Sequence, residues 1–143
     1  MITLEQYFRK PHTLQHAANA ADVLERRNRL RAEWSAATGK ACEIDPDTGS
    51  EISGSAGGDG DGSFRTPGTR TGAPLSPHRD ARAVDDYDPR NEFDTWLDQF
   101  DTPNGGNSKL AEYGLYREHP SVTPGWCHLT TRAPGSGKRT FYP

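Results

Sequence analysis

The chain has few of the aliphatic and aromatic residues from which a core is built. Leu, Ile, Val and Phe together account for 20 of its 143 residues. So low a share predicts disorder when the net charge is strong, but the net charge here is only −3, and three Trp and five Tyr are present. We therefore expect one small, loop-rich domain over residues 1–143, whose modest core needs help from a metal ion, a partner or buried polar networks.

Further absences exclude other classes of protein. No apolar run approaches the ~20 residues that span a bilayer, and the segment MITLEQYFRK lacks the apolar centre of a secretory signal. Two cysteines, Cys42 and Cys127, do not make a disulfide framework. There is neither an excess of basic residues nor a long basic stripe, so nucleic acid is not an expected partner.

The N-terminal part of the chain predicts a long amphipathic helix. Thr13 caps this helix, which runs to about Thr38 and stops at Gly39. Arg27 and Arg31 fall inside its apolar arc. We expect their stems to cover the edge of the core while their guanidinium groups reach water.

The remainder predicts a small antiparallel sheet with short helical segments. The stretch 45–77 holds eight Gly and four Pro in 33 residues, which indicates a long Gly-rich loop. The elements expected within and after it are strands at 50–53 and 64–65, helical segments at 93–100 and 110–115, and strands at 126–132 and 139–142 that flank a turn at 134–137. The fold class is therefore α+β, with N-terminal helices packed on the sheet.

Two histidines and a carboxylate are the residues with the most specific chemistry. His78 precedes Asp85 by seven residues, and His128 follows in the late segment Trp126-Cys-His. Such a set is typical of an open zinc site, because three protein ligands leave a fourth position for water, whose pKa zinc lowers to ~7. On a strand, Cys127 and His128 project to opposite faces, so we expect Cys127 to be a packing residue.

The order of these residues resembles a known family of enzymes. The resemblance rests on three stretches, Gly62-Ser-Phe-Arg65-Thr-Pro67, Ser76-x-His78 followed by Asp85, and the late Trp126-x-His128. They are similar to motifs of the zinc D-Ala-D-Ala peptidases of the M15 type, which have the Hedgehog/DD-peptidase fold. The tail from Leu115 onwards looks like a branch of that family encoded by tailed bacteriophages.

The resemblance implies a single M15-like zinc peptidase domain that hydrolyses peptide bonds in peptidoglycan stem peptides or cross-bridges. His78, Asp85 and His128 are then the ligands of Zn²⁺. Arg65 pairs with a carboxylate of the substrate through its planar fork, and Ser76 hydrogen-bonds the substrate or orients the site. The protein acts on the bacterial cell wall, either from the host cytoplasm at lysis or from the phage virion, where other virion proteins become its partners.

Two positions depart from the family pattern. Glycine is common three residues after the first histidine, where this chain has Ala81, so a turn with positive φ would be strained there. Better-known members place an acidic general base three residues before the last histidine, where this chain has Gly125. Glu118 is the first substitute, and Asp86 and Asp88 are the others. Asp86 or Asp88 alternatively accepts a hydrogen bond from a ligating histidine.

Two further functions stay open on the sequence alone. Ala81 and Gly125 favour a non-catalytic virion or wall-binding protein in which the metal is a structural staple, worth on the order of 10 kcal/mol to folding. The segment Asp59-Gly-Asp-Gly-Ser63 is similar to the start of a calcium loop, although the twelfth position, which should be Glu, is Arg70. A calcium-stabilised interaction protein is therefore the third hypothesis.

Overall fold

A computed structural model describes residues 1–54, 62–65 and 76–143, which form an α+β structure. The helices are α1 (Leu4–Tyr7), α2 (Leu14–Thr38), α3 (Glu92–Asp98) and α4 (Ser108–Tyr113), with 3₁₀ turns at Pro77–Asp80, Pro103–Gly105 and Pro120–Val122. The strands are β1 (Ala83–Tyr87), β2 (Asp101–Thr102), β3 (Gly106–Asn107), β4 (Tyr116–Glu118), β5 (Trp126–Thr130) and β6 (Thr140–Phe141).

Helix α2 has the predicted bounds. The side chain of Thr13 accepts a hydrogen bond from the backbone N–H of His16 at 3.1 Å, and Gly39 ends the helix in the left-handed region with a φ of 72°. One face of α2 packs on the sheet. Across the described ranges, neither α2 nor any other helix is long and apolar enough to cross a membrane.

Among residues 1–54, 62–65 and 76–143, the main sheet has four strands in the order β1-β5-β4-β6. Strands β1 and β4 run antiparallel to β5, whereas β6 runs parallel to β4. The prediction of an antiparallel sheet is therefore wrong at the β6 edge, and the sheet is mixed. The reason is that β4 lies between β5 and β6, so the turn at 134–137 carries the chain past β4 instead of closing a hairpin.

Local patterns predict some elements and miss others. The helical segments expected at 93–100 and 110–115 are confirmed as α3 and α4. Strands β1 and β4 were not expected, because charged residues on both of their faces hide the apolar–polar alternation that marks a strand. Residues 64–65 form no strand, and 50–53 contributes only isolated bridges.

The expectation that Arg27 and Arg31 reach water is wrong. Arg27 is fully buried, and its Nε and Nη2 donate to the carboxylate of Asp86 at 2.5 and 3.1 Å. Nη2 of Arg31 lies 3.2 Å from the same carboxylate, while its guanidinium stacks over the rings of Trp34 and Phe93. Asp86 points from β1 towards α2, and a buried carboxylate needs charged partners, so both guanidinium groups stay inside.

The outer edge of β1 is closed by short pieces of the long loop. Ile52 bridges to Asp86, and the N–H of Ser53 donates to the carbonyl of Asp85 at 2.8 Å. The N–H of Asp85 in turn donates to the carbonyl of Gly62 at 2.8 Å. Residues 62–65 are thereby held beside the middle of β1.

Candidate metal centre

Three neighbouring strands bring side chains of the site to one face of the sheet. Asp85 of β1 pairs directly with His128 of β5. Strand β4 pairs with the other edge of β5, where Arg117 lies opposite Leu129. Continuing this register by one residue places Glu118 opposite His128. Residues directly opposite one another in antiparallel strands project from the same face, with Cβ atoms about 4.5–5.5 Å apart. Asp85, His128 and Glu118 therefore form a row on the face that is turned away from α2.

His78 reaches this row from the 3₁₀ turn Pro77–Asp80. The side chain of Ser76 caps the turn and accepts a hydrogen bond from the N–H of His78 at 3.3 Å. Ala81 closes it with a φ of 57°, and its N–H donates to the carbonyl of His78 at 3.2 Å. The left-handed residue expected at this position is thus present, and alanine adopts it at a cost of about 1 kcal/mol. Ser76 and Ala81 together fix the direction of His78.

The three predicted ligands meet as a compact buried cluster. Oδ1 of Asp85 lies 3.2 Å from Nε2 of His78 and 2.9 Å from Nδ1 of His128. The three ligand atoms all lie within 4.8 Å of one another, and all three residues are buried. We call these residues the His78–Asp85–His128 cluster; it can hold a metal ion.

The orientation of His78 is set by a backbone group. Its Nδ1 lies 2.8 Å from the carbonyl oxygen of Ser63, and because a carbonyl only accepts, Nδ1 carries the proton. Nε2 is thereby turned towards Asp85 and is the ring nitrogen that would bind a metal ion. Fixing a ligand's second ring nitrogen in this way is usual for metal-binding histidines.

The electrostatics of the cluster favour a cation. Burial alone opposes ionisation of Asp85, yet His78 and His128 hold its pKa well below the usual range. Burial likewise works against a charged His128, but the hydrogen bond with Asp85 and the negative charges of Asp85 and Glu118 leave its pKa raised. The negative potential that favours a proton at His128 also favours a metal ion there.

Arg65 lies against the cluster. Its Nη2 is 3.6 Å from Oδ2 of Asp85, and its backbone N–H donates to the carbonyl of His78 at 3.1 Å. The side chain is only 8% exposed. The structure therefore brings Arg65 to the predicted site, with its guanidinium paired to a proposed ligand; its contact with substrate stays a prediction.

Of the four positions considered for a general base, Glu118 alone lies in the row with His128. Gly125 has a φ of 94° and offers only backbone. Asp86 points to the opposite face, towards α2. Asp88 accepts hydrogen bonds from two backbone N–H groups at the start of α3, at 3.1 and 3.0 Å. The expectation that Asp86 or Asp88 supports a ligating histidine is wrong, because strand alternation and the helix start turn them elsewhere.

Two backbone contacts at the site were not predicted. The motif that contains Arg65 also contains Gly62 and Ser63, but it does not show that the carbonyl of Ser63 contacts His78 or that Gly62 lies close against Asp85. Cys127 is confirmed as a core residue. In the calcium-like segment, Asp59 and Asp61 lie outside the described residues.

No protein-family model, no curated protein and no solved structure matches the chain.

Replacing Gly62 with alanine is expected to weaken metal binding about 10–100-fold, the range found when supporting residues of a metal site are changed. A Cβ at Gly62 would lie 2.6 Å from the Cβ of Asp85 and 2.8 Å from its carbonyl oxygen, so β1 must shift. Competition with a chromogenic chelator measures the affinity. Gly135→Ala is the matched control, since no heavy atom lies within 4 Å of its Cβ. Equal affinities in the two variants would show that Asp85 does not depend on this contact.

Proposed function

We propose that the chain is a zinc metallopeptidase of the M15 type, with the Hedgehog/DD-peptidase fold, that hydrolyses peptide bonds of peptidoglycan. The observation that carries the proposal is the buried His78–Asp85–His128 cluster, whose ligand atoms lie within 4.8 Å of one another. Two imidazoles and one carboxylate suit zinc and leave a position for water. The resemblance of the three sequence motifs supplies the substrate class.

In this proposal three residues bind the metal ion and a fourth transfers the proton. His78, Asp85 and His128 would hold Zn²⁺, which would supply a nucleophilic water and polarise the scissile carbonyl. Glu118 accepts a proton from the attacking water while the oxygen of that water bonds to the carbonyl carbon. Glu118 then gives this proton to the leaving nitrogen as the peptide bond breaks.

Two further residues position the reacting groups. A guanidinium has five N–H donors, so Arg65 can contact Asp85 and still donate to a carboxylate of the peptide. Ser76 acts through His78, whose turn it caps. We place the enzyme in a tailed phage on the resemblance of its tail segment. There it degrades the bacterial wall at lysis or infection, from the host cytoplasm or from the virion beside other virion proteins.

A second candidate is a non-catalytic virion or wall-binding protein stapled by its metal. The observation that favours it is Gly125, which presents backbone with a φ of 94° where the family has an acidic base. In that case the cluster ties β1, β5 and the turn at Pro77–Asp80 together, and Glu118 is a solvated carboxylate beside it.

Mass spectrometry of purified peptidoglycan separates the two candidates. With zinc, the peptidase is expected to release new muropeptides, to lose this activity in EDTA, and to regain it when zinc is restored. An unchanged profile with zinc bound, across walls of several chemotypes, favours the structural protein. Thermal unfolding with zinc or calcium added after EDTA shows which ion the chain binds, because only that ion restores the melting temperature.

His78→Ala and His128→Ala are each expected to abolish stoichiometric zinc binding, since two ligands do not hold the ion in a three-ligand site. Metal analysis of the purified variants measures the bound zinc. His12→Ala is the control, because His12 is exposed and lies outside the cluster. Stoichiometric zinc in either ligand variant would overturn the ligand assignment.

A further inference from the structure

A cavity of about 450 Å³ lies beside β6, the edge strand of the main sheet. His119 and Tyr142 form one side, with their rings stacked at 4.6 Å. The segment 101–106 also lines the cavity, and a hydrogen bond from the N–H of Arg139 to the carbonyl of Gly105 at 2.9 Å ties it to the chain next to β6. The volume is within the range of small-molecule sites.

Among the residues that the structure describes, the lining of the cavity has one acidic side chain, Asp101, and one lysine, Lys138. Asp101 is half-exposed, and its Oδ1 accepts a hydrogen bond from the side-chain amide of Asn107 at 2.9 Å, which fixes the carboxylate. Lys138 is exposed, and its stem runs so close to Gly105 that a Cβ there would lie 2.6 Å from it. An anionic and a cationic group thus face the same space from walls that are tied together.

On the side of the cavity formed by Asp101, the described carboxylates outnumber the positive charge that pairs with them. The buried guanidinium of Arg117 lies 2.8 Å from Asp94, 2.6 Å from Asp98 and 3.5 Å from Asp101. One positive charge therefore serves three carboxylates. A second cation beside Asp101 offsets part of the remaining charge, and an ammonium group has the donors to do so.

The cavity adjoins the metal centre through Phe141. Phe141 lines the cavity, and the centroid of its ring lies 6.4 Å from that of His128. From β5 to β6 is two strand spacings, about 10 Å, which an extended peptide covers in about three residues. A peptide held at the His78–Asp85–His128 cluster therefore reaches the cavity with a side chain or an end a few residues away.

We propose that this cavity binds an α-amino-acid group, with its ammonium on Asp101 and its carboxylate on Lys138. Such a group occurs as a free amino acid and at the free end of a diaminopimelic acid residue in a wall peptide. A lysine residue at the same position ends in an ammonium alone. On the proposed peptidase function, the cavity selects stem peptides that contain diaminopimelic acid over those that contain lysine; the binding itself does not depend on that function.

Binding is tested by NMR titration of the full zinc-loaded chain with three probes that are related in structure. Meso-diaminopimelate has both groups, pimelate has only the carboxylates, and 1,5-diaminopentane has only the ammonium groups. We expect meso-diaminopimelate to shift the amide resonances of Thr140 and Tyr142 and to bind about 10-fold tighter than the other two, the effect of one charge-assisted hydrogen bond. Equal affinity for all three, or no shift at these residues, would overturn the proposal.

Variants show which contact carries the binding. Lys138→Met and Asp101→Asn are each expected to weaken it about 10-fold. Lys40→Met is the matched control, because Lys40 is half-exposed and pairs with Glu92. Chelation of the zinc by the probe appears at His128 and is insensitive to Lys138→Met, so a response that survives that variant at Thr140 and Tyr142 would overturn the assignment.

Hydrolysis of paired muropeptides distinguishes this inference from the proposed function. Peptides with diaminopimelic acid are expected to have a KM about 10-fold below that of the matched lysine peptides, and Lys138→Met is expected to bring the two KM values together. Binding in the cavity without cleavage of either peptide contradicts the peptidase and supports the site. Cleavage of both peptides with one KM supports the peptidase and contradicts the selection of diaminopimelic acid by the cavity.

Discussion

On the proposed peptidase function, replacing Glu118 with glutamine is expected to lower kcat for peptidoglycan hydrolysis by about 10²–10⁴-fold, the usual contribution of a general base, while zinc stays bound. The register of β4 on β5 places Glu118 opposite His128, and its negative charge acts on the pKa of that histidine. Glutamine keeps the size and the strand but cannot take a proton. Turnover is measured on a soluble muropeptide, and bound zinc by metal analysis.

The control for this variant is Glu112→Gln, which changes an exposed carboxylate on α4 that pairs with Lys109. We expect it to leave kcat unchanged. Full turnover in Glu118→Gln would remove Glu118 from the mechanism. Loss of zinc in that variant would instead show that Glu118 supports the metal-ligand cluster.

Replacing Arg27 with methionine is expected to lower the free energy of unfolding by about 3–5 kcal/mol, the cost of removing one partner from a buried ion pair, and Arg31 alone then faces Asp86. Asp86 is fully buried, and Arg27 is the residue that donates two hydrogen bonds to it. Small domains are stable by about 5–15 kcal/mol, so the change removes a large share of the total. Urea unfolding followed by tryptophan fluorescence measures it.

Two further variants test whether a loss of stability in Arg27→Met comes from the buried ion pair. Arg27→Lys keeps the positive charge but not the planar fork, so we expect an intermediate loss. Arg90→Met removes an exposed guanidinium that pairs with Glu43 and Glu92, and we expect little change. Equal losses in Arg27→Met and Arg90→Met would show that the buried pair is not a main source of stability.

The sequence predicts those parts of the fold that depend on local signals. Thr13 and Gly39 bound α2 because a capping hydroxyl and a residue free to adopt positive φ act on their own neighbours. The pairing of β6 with β4 depends instead on contacts between residues that are distant in sequence. This is why the parallel edge of the sheet was not foreseen.

The candidate site also has a part that the sequence predicts and a part that depends on contacts between distant residues. The resemblance to a family brought His78, Asp85 and His128 together, whereas their spacing alone is common. Asp86 is next to Asp85 in sequence, yet the two point to opposite faces of β1, and only the pairing of β1 with β5 shows which one meets His128. Without a predicted β1, the acidic candidates could not be sorted.

The pairing of β1 with β5 also sets the time at which the metal centre can form during folding. Asp85 and His128 are 43 residues apart, whereas His78 and Asp85 are seven apart. Closing the longer loop costs about 1.6 kcal/mol more in chain entropy. Contacts of such long range form slowly. His78 and Asp85 can therefore meet an ion early, and His128 completes the site only when the sheet closes. The rate of tight metal uptake during refolding should equal the rate of that closure.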